Sequence, residues 1–330
     1  MSKAAFLTLA LVAASAVAEN THDRAFYEAK FFNWMTEHSV KATDGAHFVS
    51  MLKNFADNDD IITTHNAGKS TYQLGHNQFS HMSETEWKAY VNKGLGKDRE
   101  PGANIHSAPT DLSSLPASID WTALGSVTPV KDQGQCGSCW SFSTTGAMEG
   151  VYKNKYGTLE SFSEQNFVDC DNRKNGGKDM GCNGGLMDYA FKYIESAPLE
   201  TESEYPYLAR SSLFGCRTKS SASKPGTVST FTDVTSRSPT QLKAGLAKGP
   251  VSVAVEADKS VFQQYTSGIL NSASCGTNLD HGVLAVGYGE GYFIVKNSWG
   301  ASWGDKGYLK ISDSSSNICG ILSQPSYPTA

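Results

Sequence analysis

All seven cysteines of this 330-residue chain fall between positions 136 and 319, and the first two stand three apart. That distribution divides the chain into a leading part without crosslinks and a trailing part whose loops disulfides can close. An odd count leaves one thiol unpaired. The first two cysteines lie in Gln133-Gly-Gln-Cys136-Gly-Ser-Cys139, which runs into Trp140, Thr144, Ala147, Met148 and Val151 at helical spacing. A glycine-bearing loop therefore opens straight into a buried helix. A cysteine in the first turn of such a helix meets unpaired backbone N–H groups and the positive end of the macrodipole, which favour the thiolate. Cys139 is a candidate nucleophile on these grounds. A C-x-x-C redox pair, or two ordinary structural disulfide partners, also fit this stretch taken alone.

The redox compartment follows from the N-terminus. Lys3 precedes an apolar run from Ala4 to Ala14, and Ala16-Val17-Ala18 has the small-x-small form of a cleavage site. Residues 1–18 read as a secretory signal peptide, too short for a membrane span. No second run of spanning length follows, so a soluble mature protein with disulfides is expected. The net charge of −5 comes without a Lys/Arg run, which argues against nucleic-acid or membrane-surface partners. The cysteine spacings lack a paired C-x-x-C zinc pattern, so neither a metal nor another cofactor is expected.

Seven of the eight histidines (His22, His38, His47, His65, His76, His81 and His106) precede residue 110, which leaves His281 alone in the cysteine-bearing part. The leading part, 19–114, carries helix-like segments at about 22–41 and 46–66. Its polar tail, Lys93 to Ser114 with Pro101 and Pro109, reads as an exposed, protease-accessible linker. Beyond Leu115, helical patterns follow Cys139 and cover 163–170 and 184–196; alternating strand patterns cover 251–255, 283–288, 292–296 and 308–311. Between them, Ser238-Pro-Thr-Gln241 opens a short helix as a capping box, and Gly249 ends it. A helical half followed by an antiparallel half predicts an α+β pair of subdomains with a cleft between them.

His281 opens a strand pattern, and Asn297 follows the next one. Adjacent antiparallel strands bring the Asn297 oxygen to the imidazole, where it can orient the ring. Trp299 is placed to shield that contact, and Gln133 to aim an amide N–H at an oxyanion together with the Cys139 N–H. With Cys139, these residues make the chain resemble a papain-family cysteine protease zymogen of the cathepsin L-like branch. Further matches are Gly181-Cys-Asn-Gly-Gly185, Gly249-Pro250 and the run from Asn297 to Gly307, so the resemblance covers Leu115 to Ala330.

The resemblance implies a helical half and an antiparallel β-barrel half with a cleft between, preceded by a helical inhibitory pro-region. It implies the disulfides Cys136–Cys182, Cys170–Cys216 and Cys275–Cys319, with Cys139 free. It also implies a thiolate–imidazolium pair of Cys139 and His281, an acyl-enzyme, and protein or peptide substrates paired with the backbones of Gly184 and Gly185. The residue two positions before the cut would enter a pocket of Leu186, Met187, Ala254 and Leu279, with Gln324 at its far end and a hydrophobic preference. Asp280 and Trp299 are implied at the substrate site too, with the chain's own pro-region and cystatin-like proteins as inhibitors and a monomeric state.

The leading part resembles the matching inhibitory pro-region, with departures. Phe55, Asn58, Ile62 and Asn66 fit its helix pattern, whereas His47 and Met51 stand at its Glu and Arg positions, and His81 replaces Asp in Gly75-His-Asn-Gln-Phe-Ser-His81. Residues 19–114 hold nine Lys/Arg against thirteen Asp/Glu, so protonating seven histidines reverses the sign of their charge. Free histidine titrates near about pH 6.5, which predicts release of the pro-region on acidification. No Asn-x-Ser/Thr site occurs, so glycan-dependent sorting is not expected; lysosome, vacuole and secretion all remain compatible.

Overall fold

Asp23 and Asp44 each accept a hydrogen bond from a backbone N–H three residues on, and these caps start the first two helices, α1 (Arg24–Glu37) and α2 (Gly45–Ala67). The computed structural model describes residues 20–96, 99–100, 102, 104–106, 108, 115–218 and 228–329. The expected signal peptide and residues 109–114 lie outside them. Tyr27, Phe31 and Trp34 of α1 face Met51, Leu52, Phe55 and Ala56 of α2 in a core of their own. A strand, β1 (Tyr72–Leu74), and a capped helix, α3 (Glu84–Val91), follow. Their apolar residues do not join that core. Tyr72, Leu74, Phe79, Trp87 and Val91 are buried instead with Val253, Phe262, Trp299 and Trp303 of the trailing part. The Trp87 indole N–H donates to the Ala257 carbonyl at 2.9 Å.

The trailing part contains β3 (Ile119–Asp120), α4 (Cys139–Tyr156), α5 (Glu164–Cys170), α6 (Met187–Ile194), β4 (Thr230–Val234), α7 (Pro239–Leu246) and β5 (Val251–Val255). It continues with α8 (Ser260–Gln263), β6 (Tyr265–Leu270), β7 (His281–Gly289), β8 (Tyr292–Lys296), β9 (Tyr308–Ser312) and β10 (Ser326–Thr329). With β2 (Ile105–His106), the strands form one sheet in the order β1-β6-β9-β8-β7-β5-β10-β4-β2, with β3 paired to β7. Helical and strand halves follow one another as expected. The sheet is mostly antiparallel, but β6/β9 and β2/β4 pair in parallel, and its ends are not joined among the described residues, so it is open rather than a closed barrel.

Helix α4 is the spine between the halves: every residue from Cys139 to Gly150 is buried. It lies so close to β7 that a Cβ on Gly146 would sit 2.7 Å from a Leu284 methyl. Strand β5 is buried at all five positions instead of alternating, because α4 covers the face opposite the strand core. Ser252 is accommodated there by donating its hydroxyl to Ser143 O of α4 at 3.0 Å.

Three local expectations change. The tail from Lys93 is not simply an exposed linker: Leu95 is buried, and Ile105–His106 pair with β4. Helix α6 begins at Met187 rather than Gly184, because Gly185 pairs its backbone with the tail. Ser238 does cap α7, but the Gln241 side chain binds the N–H and C=O of Ala108 (2.6 and 2.8 Å) instead of closing a capping box.

Trp87→Ala empties an indole-sized site in the seam between the two parts and is expected to cost about 3–5 kcal/mol of docking. Calorimetry of the full chain would show the leading part unfolding at lower temperature; an unchanged profile would mean that α3 carries none of the docking energy.

Candidate active site

Ser138 starts α4 without offering a side-chain cap, so its hydroxyl is left to bond the Tyr207 hydroxyl at 2.5 Å. Cys139 then occupies the first turn, as expected. Its sulfur accepts the Gly282 N–H at 3.2 Å. His281, the residue before Gly282, opens β7. Its Nε2 lies 2.8 Å from Asn297 Oδ1, just beyond the antiparallel partner strand β8. The Trp299 indole stacks on the imidazole at 4.4 Å and 18°, both fully buried, and shields the His–Asn contact. Gln133 is held at both ends: Nε2 donates to Cys136 O at 3.0 Å, and Oε1 accepts from the Ser298 hydroxyl at 2.7 Å. Tyr207, which the sequence reading missed, donates to Gln133 O at 2.8 Å and so ties this loop to α4.

The cysteines pair as Cys136–Cys182, Cys170–Cys216 and Cys275–Cys319, leaving Cys139 free. Cys136 is thereby unavailable to cycle with Cys139, and the redox-pair reading falls away.

The tail fills the cleft. Gly94 lies over the sulfur, where an added Cβ would stand 2.4 Å from Cys139 Sγ. Gly96 N donates to Gly185 O at 2.8 Å, and Gly185 N donates to Gly94 O at 3.4 Å. Between the two glycines, Leu95 joins one apolar cluster with Leu186, Met187, Ala254 and Leu279, four of the expected pocket residues. Gln324 is half-buried, two residues before Ser326, whose hydroxyl reaches Asp188 in the first turn of α6. Asp280 Oδ1 accepts the Ala257 N–H at 2.7 Å, so that oxygen serves the fold. Farther along, Arg99 reaches Asp188 at 2.6 Å and Asp233 at 2.7 Å. Nothing in the polar tail marks these contacts beforehand except glycines flanking a lone leucine.

Under this cover, burial works against charge on the pair. Burial pushes the Cys139 thiol up to about 12, against the helix-end N–H groups and Gly282 that favour the thiolate. Burial likewise pulls the His281 imidazole down to about 4, despite Asn297. In the covered state burial therefore favours a thiol and a neutral ring over an ion pair.

Residues 115–329 match the papain family cysteine protease model, and residues 31–87 match the cathepsin propeptide inhibitor domain (I29). The chain belongs to the papain family of cysteine proteases. It is 39% identical over 334 residues to a senescence-specific cysteine protease, SAG39, of Oryza sativa subsp. indica, covering 98% of this chain and 96% of that one. Cysteine proteinase 5 of Dictyostelium discoideum is also 39% identical, covering 99% of both chains. Among solved structures, digestive procathepsin L 3 of Tenebrio molitor larval midgut superimposes with a TM-score of 0.80 at 39% identity, covering 92% of this chain and 99% of that one. A recombinant stem bromelain precursor gives 0.82 at 36% identity, covering 92% and 98%. The chain is thus a cysteine protease zymogen whose inhibitor is its own pro-region.

Gly94→Ala places a methyl group against the sulfur. Overpacking of this kind costs about 1–3 kcal/mol, so iodoacetamide should alkylate Cys139 in the intact zymogen roughly tenfold faster than in the parent. Equal rates would show that Gly94 is not what closes access to the thiol.

Proposed function

We propose that Cys139 is the nucleophile and His281 the general base and acid of a cysteine endopeptidase. The reading is carried by one observation: the single free thiol starts α4 against the backbone of Gly282, beside a histidine held by Asn297. When the pro-segment leaves, water restores the stability of charge, and the thiol proton passes to His281. With Nε2 engaged by Asn297, Nδ1 serves the sulfur. The thiolate adds to the scissile carbonyl, and the oxyanion is held by Gln133 Nε2–H and the Cys139 N–H. His281 gives its proton to the departing amine, takes one from water, and the hydroxide releases the acyl group.

Leu95 serves as a guide to specificity. A hydrophobic side chain two positions before the cut takes its place among Leu186, Met187, Ala254 and Leu279, with Gln324 at the far end tolerating polar tips. Gly184 and Gly185 offer backbone to the substrate, while Trp299 lines its other side; any contact by Asp280 is through its main chain. Leu95 leads away from the sulfur toward higher residue numbers, so a substrate using the same pocket runs in the opposite direction. The pro-region cannot present a scissile carbonyl in that sense.

The domain limits we propose are 1–18 for the signal peptide, 19–114 for the pro-region and 115–330 for the mature enzyme. A secretory route to an acidic or extracellular compartment follows from this.

Acid release is assigned to particular histidines rather than to total charge. His76 stacks on Phe55 at 4.1 Å and lies 2.9 Å from Asp59, which also binds Lys30; burial lowers its pKa, with Asp59 opposing and Lys30 and His38 adding to the drop. His81 packs against Trp34, and burial lowers its pKa too, with Glu86 opposing and His47 adding. A histidine with a lowered folded value stabilises the folded state at neutral pH; that stability is lost as pH falls below the unfolded value of about 6.5. His47 is exposed, with Nδ1 bonded to the Thr43 N–H at 3.1 Å, and is not assigned to the switch.

Acidified zymogen should cleave a Leu- or Phe-containing fluorogenic peptide, and Cys139→Ala should lower that activity by roughly 10⁴-fold or more. Full activity in the alanine variant would sink the assignment. His76→Gln and His81→Gln should each move the pH midpoint of self-processing acidward by about half a unit, while His47→Gln leaves it in place. The opposite ranking would return the switch to surface charge.

A further inference from the structure

The loop joining α5 to α6 brings two cations to the wall of the cleft. A cavity of about 340 Å³ lies beside Gly184, Gly185 and Leu186, and its lining includes Arg173, Lys178 and Tyr189. Lys178 is steadied by the Tyr189 ring, with Nζ 4.8 Å from the centroid. In the zymogen this cavity already receives an acidic side chain, since Glu100 of the pro-segment places a carboxylate oxygen 2.6 Å from Lys178 Nζ.

The one carboxylate of the protease proper in this lining, Asp179, is not a free negative charge. It is buried, and its Oδ1 accepts the Leu186 N–H at 2.9 Å. Burial and the adjacent Asp171 hold its pKa well above the usual carboxylate range. Once Glu100 departs, Arg173 and Lys178 are left facing a space next to the glycine wall on which substrate backbone lies.

We infer that Arg173 and Lys178 form a cationic subsite that takes an acidic side chain at the third position before the scissile bond. The inference rests on the substrate placement proposed above. The geometry follows from the pro-segment. Gly94 lies at the sulfur, Leu95 in the hydrophobic pocket, and Gly96 on Gly185 O and in the cavity lining. Counting outward from the sulfur in the same steps, the third residue of an extended substrate lies where Gly96 does. A Cβ there would stand 3.1 Å from Leu186 in the wall of the same cavity that Lys178 lines. Glu100 reaches Lys178 from farther along the segment, so the site selects by charge and not by the path of the backbone. Both partners of the zymogen pair are largely exposed, with side-chain accessibilities of 51% and 69%, so the discrimination is modest and salt-sensitive.

The test uses the acid-processed full chain and three fluorogenic peptides. They share Leu two positions before the cut and differ only in Glu, Gln or Lys at the third. At low ionic strength kcat/KM should fall in the order Glu, Gln, Lys, with roughly two- to fivefold between the extremes, and the spread should collapse in high salt. Lys178→Glu should invert the order, and Lys178→Gln should flatten it. Cleavage of all three peptides at equal rates, or an order indifferent to Lys178→Glu, overturns the subsite and leaves the proposed chemistry standing. Failure to cleave any of the three overturns the chemistry and the subsite together.

Discussion

Gly94 brings its α-carbon to the sulfur of Cys139, and the state of the whole zymogen depends on that contact. The same atoms that block access also remove water. Removing water raises the thiol and lowers the imidazole, so physical occlusion and chemical silencing are one effect. Inhibition of this kind needs no distortion of the machinery. The His281–Asn297 bond, the Trp299 stack and the clamped Gln133 amide are already assembled beneath the cover.

That assembly is fixed from behind by buried charge. Lys131 binds Glu149 of α4 at 3.1 Å and Glu164 of α5 at 2.6 Å, while Lys296 at the end of β8 donates to Thr128, which donates in turn to Glu149. Burial pulls Lys296 down to about 8. These links join the helix bearing Cys139 to the strand preceding Asn297, the two elements whose spacing the chemistry cannot vary. Replacing one member of such a network strands the others without partners, which typically costs about 3–5 kcal/mol. The pro-region completes the packing from the front through Trp87 and Phe79, which abut Trp299.

How much of this can be read from sequence depends on whether a residue's role is set locally. The helix after Cys139, the strand opening at His281 and the asparagine beyond the next strand are local patterns with strong periodicity, and the structure has them in place. The cleft-filling tail is not. Leu95 sits among glycine, lysine and asparagine, and a pattern average sees only a polar linker; what buries it is a pocket built from residues nearly a hundred to nearly two hundred positions away. Likewise, Gln241 has a sequence setting that fits a capping box, yet a distant backbone at Ala108 offers two better-placed partners. The electrostatics of the covered Cys–His pair are hidden from sequence for a related reason: the sequence carries the helix end that favours the thiolate but not the desolvation by the tail that opposes it. His47 shows the converse, since composition counts every histidine alike, whereas burial lowers the pKa of His38, His76, His81 and His106 and His47 stays exposed.

The Arg99 clamp gives activation a direction. While the pro-segment is in place, one guanidinium satisfies two carboxylates, Asp188 and Asp233, at the same time. Asp188 is buried, which already raises its pKa, and Arg99 opposes that rise together with the Ser326 hydroxyl. Once the segment leaves in acid, Asp188 takes up a proton more readily, and the docking point that held Arg99 loses its charge. A detached segment returning in acid finds one of its two docking carboxylates weakened, so recapture is less favourable than at neutral pH. The grip of the enzyme on its own inhibitor is thus graded by the pH around it, weakening in acid and recovering on neutralisation.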